Sequence, residues 1–197
     1  DHHIEYQQSK NWAPIAGDGE LTNKTLVILG YGGIGTQVAK LGKAFGMRVT
    51  GIRRNPQDDE HADEVLGLDR FEELLPLTDY LVLALPDSPQ TRDIINADIL
   101  EKLNTSAMII NVGRGTAINE VDLADALNNG KIAAAALDTT KIEPLDTNSS
   151  LWTAKNCFIS AHDSAHSLLS LGRAFELFFQ NIKNIKNSDR IINLYSE

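Results

Sequence analysis

The sequence predicts an α/β fold built on a doubly wound parallel sheet. Two observations carry that expectation. Short apolar runs rich in branched residues recur along the chain, and each is separated from the next by a stretch with helical periodicity. Strands with helices between them form a parallel sheet, and right-handed crossovers then wind the chain over both of its faces.

The elements follow in order. Residues 4 to 12 read as a short helix closed by Trp12-Ala13-Pro14, and Gly17-Asp18-Gly19 as a turn, so residues 1–20 are expected to form a connector. Thr25-Leu26-Val27-Ile28-Leu29 is a continuous apolar run, as expected of a strand buried on both faces. Ile34, Val38, Leu41 and Phe45 then recur at helical spacing, and Gly46 stops that helix before a strand at Arg48 to Ile52. A helix near Phe71 to Leu75, a strand at Tyr80 to Leu85, a helix near Ala97 to Leu103 and a strand at Ala107 to Val112 continue the alternation. Asn119 caps a helix carrying Val121, Leu123, Ala126 and Leu127, which Asn129-Gly130 ends before strands at Ile132 to Leu137 and Asn156 to Ser160. One domain thus spans residues 21–166. Residues 167–197 add an amphipathic helix to residue 186, with Leu168, Leu171, Ala174, Leu177, Phe178 and Ile182 on one face, and then a tail.

Composition narrows the function. At 197 residues, 42% of them hydrophobic, the chain is long enough for one well-buried core. A formal net charge of −9, with no cluster of Lys and Arg free of interleaved acids, argues against a nucleic-acid partner. The longest apolar run, Ile132 to Leu137, is far too short for a membrane-spanning helix, and no membrane partner is expected. The single cysteine, Cys157, lies in the run Cys157-Phe158-Ile159 and reads as a buried strand thiol in a reducing compartment, so the expected location is the cytoplasm. Asp1 in place of a methionine suggests a piece of something longer, and the adjacent His2-His3 pair is read as an unstructured terminus.

The glycines point to a ligand. Gly30-Tyr31-Gly32-Gly33-Ile34-Gly35 fits G-x-G-x-x-G between a predicted strand and a predicted helix, which is the dinucleotide-binding context of a Rossmann-type domain. Gly30 permits the tight turn, Gly32 lets backbone approach the pyrophosphate, and Gly35 lets helix and strand pack closely, with phosphate charge at the helix N-terminus. An acidic side chain at the end of the second strand normally accepts a hydrogen bond from the ribose 2′-hydroxyl of NAD. Here Arg53-Arg54 stands at that strand end, and two guanidinium groups suit a 2′-phosphate. NADP is therefore the preferred cofactor and NAD the alternative. Asp58, Asp59 and Glu60 stand close enough in sequence to neutralise the two arginines instead.

Three later segments follow predicted strand ends: Asn111-Val112-Gly113-Arg114-Gly115, Asp138 through Glu143-Pro144, and Ser160-Ala161-His162. Ligands of open α/β sheets gather outside those ends, so Arg114, Asp138, Glu143 and His162 are expected to converge on the nicotinamide half of a dinucleotide. Singly, each has a plainer reading: a surface ion pair, a cap, a solvated acid, a core histidine.

In order and content, the glycine fingerprint, Leu85-Pro86, Asn111-Val112-Gly113-Arg114-Gly115, Ala136-Leu137-Asp138 with Glu143-Pro144, and the late histidine resemble the D-isomer-specific 2-hydroxy-acid dehydrogenases over residues 12 to 166. The resemblance implies that Arg114 holds the substrate carboxylate, that His162 is the acid/base and that Glu143 pairs with it. It further implies that Gly33 and Ile34 amides meet the pyrophosphate, that Leu85, Pro86, Val112 and Gly113 line the cofactor, and that Asp138 contacts the nicotinamide end. It also implies a homodimer paired through its cofactor domains, and a substrate domain that is largely absent here and to which residues 167–197 would return.

The chemistry suits those residue types. Reducing a 2-oxo acid needs a proton at the carbonyl oxygen as hydride arrives, and a carboxylate beside an imidazole favours its protonated form. A guanidinium matches a carboxylate with two parallel hydrogen bonds and sets positive charge beside the developing alkoxide. Two departures from the family pattern stand out: Ala161 precedes His162 where Pro is common, and Thr139-Thr140 follows Asp138 where Val-Phe is common. His166, four residues after His162, has metal-ligand spacing, but no third ligand accompanies the pair and no metal is expected.

The leading reading is a 2-oxo-acid reductase of the glyoxylate or hydroxypyruvate type running on NADPH, with a 2-oxo or 2-hydroxy acid as its small-molecule partner. The alternative is a dinucleotide-sensing module without turnover, as in corepressors with the same cofactor domain. Formate dehydrogenase chemistry ranks last, because Glu143 stands where an amide would be expected.

Overall fold

A computed structural model describes residues 2–14 and 19–193 of the chain. Residues 17 and 18 of the expected Gly17-Asp18-Gly19 turn lie outside them, as do the side chains of His2 and His3. Seven parallel strands form one sheet: β1 (Thr25–Leu29), β2 (Arg48–Ile52), β3 (Glu64–Leu66), β4 (Tyr80–Leu83), β5 (Met108–Asn111), β6 (Ala134–Leu137) and β7 (Cys157–Ile159), in the spatial order β3-β2-β1-β4-β5-β6-β7. The order reverses between β1 and β4, which is the topological switch point of a Rossmann fold. Six of the strands stand where the sequence predicts them. The three-residue edge strand β3 is an addition, too short to carry a periodic signal of its own.

Alternation along β1 divides the core. Val27 and Leu29 pack on one face with Leu81, Leu83, Ile109 and the buried side chains of α4 (Ala97–Lys102) and α5 (Glu120–Asn128). Leu26 and Ile28 pack on the other face with Val49, Val82 and Ala39 of α2 (Gly33–Ala44). The remaining helices are α1 (His2–Gln8), the single turn α3 (Phe71–Leu74) and α6 (Ser170–Lys186). The connector helix thus ends at Gln8, short of Trp12-Ala13-Pro14, and the last helix begins three residues after the expected residue 167.

The helices correct two expectations about buried faces. In α2 the residues turned to the sheet are Gly35, Ala39 and Gly42, while Ile34, Leu41 and Phe45 are each more than half exposed. Small residues let the helix axis approach the strands, so the buried stripe lies beside the large apolar one. In α5, Leu123, Ala126 and Leu127 are buried as expected, but Val121 in the first turn faces solvent. Leu168, Leu171 and Phe178 of the C-terminal segment are exposed.

Candidate active site

Every segment singled out in the sequence emerges at the C-terminal edge of the sheet. The turn after β1 is held by its neighbour, since the amides of Gly30 and Tyr31 both donate to the carbonyl of Ile52, at 3.0 and 2.8 Å. Gly30 has φ +103°, and a Cβ there would lie 2.6 Å from the Ala84 backbone. A Cβ at Gly35 would lie 2.6 Å from the Gly30 carbonyl oxygen, so the first and third glycines are demanded by protein packing. At Gly32 and Gly33 a Cβ would meet nothing within 4 Å. Gly32 is also the N-cap of α2 and places no side chain over the first-turn amides, which carry the positive end of the helix dipole. The second glycine therefore opens space at a ready anion site, which fits the pyrophosphate of a dinucleotide.

Arg53 and Arg54 follow Ile52 directly and so stand beside that turn. Arg53 is half-buried and Arg54 exposed, and among the described residues neither makes an ion pair. Asp59 accepts from the Tyr31 hydroxyl at 3.0 Å and from the His61 amide at 2.9 Å, and the charge of Arg53 also acts on it without forming an ion pair. The His61 amide bond is the chief reason that its carboxyl is held below the ordinary range.

After β5 the buried Asn111 shapes the next turn. Its side chain accepts from the Gly113 amide at 3.0 Å and donates to the Arg114 carbonyl at 3.1 Å. Arg114 is thereby presented outward, its Nη1 bonded to the Gly113 carbonyl at 2.8 Å and, among the described residues, without an ion-pair partner. Gly115 packs on the loop after β6 so closely that a Cβ would lie 1.9 Å from the Thr140 carbonyl carbon. Leu85 is half-buried against the core and Pro86 exposed, while Val112 packs partly buried on the opposite side of the sheet.

The loop after β6 carries Glu143, whose Oε1 accepts from the Thr140 amide at 3.1 Å and whose Oε2 lies 2.8 Å from His162 Nδ1. The hydrogen bond from His162 is the largest influence on Glu143 and holds its carboxyl below the ordinary range, against the opposing effect of burial. Asp138 is almost wholly buried. Burial acts to raise its pKa, but hydrogen bonds from Ser160, Ser164 and Asp163 outweigh it and keep the carboxyl low. Arg114, Glu143 and His162 share a cavity of about 200 Å³ with Asp87, Gly115, Thr116, Thr140 and Lys141.

Asp87, Thr116 and Lys141 of that lining were not singled out from the sequence. Asp87 is engaged by Arg92 through two bonds of 3.1 Å and by the Thr116 hydroxyl at 2.9 Å. Lys141 is anchored by its amide to Glu120 and by Nζ to both oxygens of Asp93. Their positions, one residue past Leu85-Pro86, one past Gly115 and inside the stretch from Asp138 to Glu143, were the available signal. Cys157 is half-buried away from the cavity, and burial pushes its thiol up to about 11.

The sequence profile of the D-isomer specific 2-hydroxyacid dehydrogenase NAD binding domain matches residues 1–164. The chain belongs to this family. Relatives within the family's range include the human glyoxylate reductase/hydroxypyruvate reductase, 40% identical over 155 residues, which are 77% of this chain and 47% of that protein. The glyoxylate reductase of Aeropyrum pernix is 40% identical over 154 residues, 77% of this chain and 45% of that one. Among solved structures, a family member from Aeromonas salmonicida superposes with a TM-score of 0.89 at 33% identity, covering 99% of this chain and 62% of that chain. The NADPH-dependent glyoxylate/hydroxypyruvate reductase of Sinorhizobium meliloti, in complex with NADP and sulfate, superposes with a TM-score of 0.86 at 26% identity and the same coverage. The chain thus spans about half the length of these curated relatives and 62% of the solved ones. Among the described residues no helix is long and apolar enough to cross a membrane.

Proposed function

We propose that this chain is the cofactor-binding part of a reductase that moves a hydride from NADPH to a small 2-oxo acid, glyoxylate or hydroxypyruvate being the class that its relatives' names suggest. One observation carries the reading: a guanidinium that forms no salt bridge among the described residues, Arg114, shares a small polar cavity with a carboxylate-held imidazole, His162. Arg114 offers the planar pair of donors that a substrate carboxylate needs. With Nδ1 engaged by Glu143, the Nε2 atom of His162 is the one left to give a proton to the substrate oxygen as it gains charge.

The cofactor supplies the hydride when bound. This chain's own contribution is the Gly32-Gly33-Ile34 amides for the pyrophosphate, Arg53 and Arg54 for a 2′-phosphate, and Leu85, Pro86, Val112, Gly113 and Arg114 along the path to His162. Support for NADP comes from the position of Arg53 and Arg54 and from NADP-bound solved structures such as that from Sinorhizobium meliloti. Residues 167–197 lie past the profile match, and we assign them to the return towards a substrate-binding part.

The test is turnover by the whole protein. NADPH oxidation with a panel of 2-oxo acids is expected, and His162→Asn should lower kcat by roughly 10²- to 10⁴-fold, the usual contribution of a general acid. Undiminished turnover in that variant would overturn the assignment. Tight NADPH binding with no turnover of any 2-oxo acid would instead favour a dinucleotide sensor.

A further inference from the structure

Asp138 is the most heavily hydrogen-bonded carboxylate of the site, and its side-chain partners all lie in the loop after β7. Oδ1 accepts from Ser160 Oγ at 2.6 Å and from the amides of Asp163 and Ser164 at 3.2 Å. Oδ2 accepts from Ser164 Oγ at 2.5 Å and from the same Ser164 amide at 3.3 Å. The backbone carbonyl of Asp138 takes the His162 amide at 2.8 Å. Between these grips His162 itself stands at φ 53°, in the left-handed region. A side chain is disfavoured there and persists where the surroundings over-determine it.

The hydroxyls that complete the grip sit two residues before and two after the histidine. A carboxylate offers about four lone-pair sites, and the contacts to Asp138 occupy that capacity without leaving the loop.

We propose that Ser160 and Ser164 are positioning residues for His162: their hydroxyls lock the Asp138 carboxylate into the 160–164 loop, where it holds the left-handed turn that delivers the imidazole to Glu143. The inference rests on the hydride-transfer reading for its catalytic consequence, but the geometry is measurable without turnover. Ser164 matters most, because it binds Oδ2 with its hydroxyl and reaches both oxygens with its amide.

The experiment uses the whole protein with ¹⁵N-labelled histidine at alkaline pH. The parent should show His162 as the Nδ1–H tautomer, since Nδ1 donates to Glu143. In Ser164→Ala, and more fully in Ser160→Ala/Ser164→Ala, that signature should relax to the mixture of a solvent-exposed histidine. Turnover should fall about tenfold to a hundredfold in kcat at saturating cofactor, the pattern of a displaced catalytic group. Ser164→Thr, which keeps the hydroxyl, should restore both readouts. If the double variant fails to fold, Ser164→Ala alone carries the same measurements. An unchanged tautomer in Ser164→Ala overturns the proposal, as does an undiminished kcat at saturating cofactor. A parent that shows the tautomer but reduces no 2-oxo acid would defeat the hydride-transfer reading and leave the clamp standing.

Discussion

The Tyr31 hydroxyl donates to Asp59 Oδ1 at 3.0 Å, and the Tyr31 ring fills the space above Gly51, where a Cβ would lie 2.2 Å from it. This contact ties the glycine turn to the segment that follows Arg53 and Arg54. Burial, and then the bond to Asp59, push the Tyr31 phenol up to about 12 from 10.0. Because the folded value is the higher one, the stabilisation is complete below pH 10 and is lost as pH rises from about 10 towards 12. Tyr31→Phe should cost about 1 kcal/mol at neutral pH and flatten the alkaline decline. Urea unfolding between neutral pH and pH 11 checks this; equal alkaline slopes in parent and variant would refute it.

Cofactor preference should reverse at one position. Arg53→Asp puts a carboxylate where a 2′-hydroxyl would be bound and a 2′-phosphate repelled. Nicotinamide fluorescence titrations at one stated ionic strength should show the parent binding NADPH more tightly and the variant NADH, with a swing of about tenfold or more for a lost charge-assisted pair. Equal affinities in the parent would make Arg53 and Arg54 surface charge only.

Asp138→Asn removes half of the acceptors on which the 160–164 loop converges and presents an amide N–H₂ to its donors. The loss should be about 1–3 kcal/mol at neutral pH, the cost of buried donors left unpaired. The parent carboxyl is depressed below its ordinary 3.8, so its contribution is present above that pH and is lost as pH falls through the lower folded value. Parent and variant stabilities should therefore converge in strong acid. A constant gap between pH 7 and strong acid, measured by urea unfolding, would contradict the assignment.

Gly115→Ala should disturb the site from beneath. The added methyl would sit 1.9 Å from the Thr140 carbonyl carbon, so the loop from Asp138 to Glu143 must move. Overpacking of this kind typically costs about 1–3 kcal/mol. Thermal unfolding together with the His162–Glu143 tautomer signature would report it; a variant with parental values for both would show that the loop yields freely.

Arg114→Lys should raise KM for the 2-oxo acid by roughly tenfold or more and change NADPH affinity much less, because an ammonium cannot reproduce the two parallel bonds of a guanidinium. Steady-state kinetics of the whole protein separate the two, and an unchanged KM would remove Arg114 from the substrate carboxylate.

Much of this protein was legible in the sequence. Thr25–Leu29 reads as a doubly buried strand because it is a continuous apolar run of branched residues, and the glycine spacing marks the turn because Gly30 adopts a positive φ and Gly35 packs on the Gly30 carbonyl five residues before it. Asn119 announces its cap by the same local logic, accepting from the amides of Val121 and Asp122. Tertiary structure alone decided the relationships between distant segments. Helical periodicity marks Ile34, Leu41 and Phe45 as a stripe, yet close helix–sheet packing favours the small residues Gly35, Ala39 and Gly42 beside it. The grip of Asp138 on Ser160 and Ser164, 22 and 26 residues away, leaves no trace in local pattern, and the bond of Glu143 to His162, 19 residues away, was legible only through the family resemblance. Propensity and periodicity act over a few residues, whereas a site assembled from the ends of separate strands exists only once the sheet has brought those ends together.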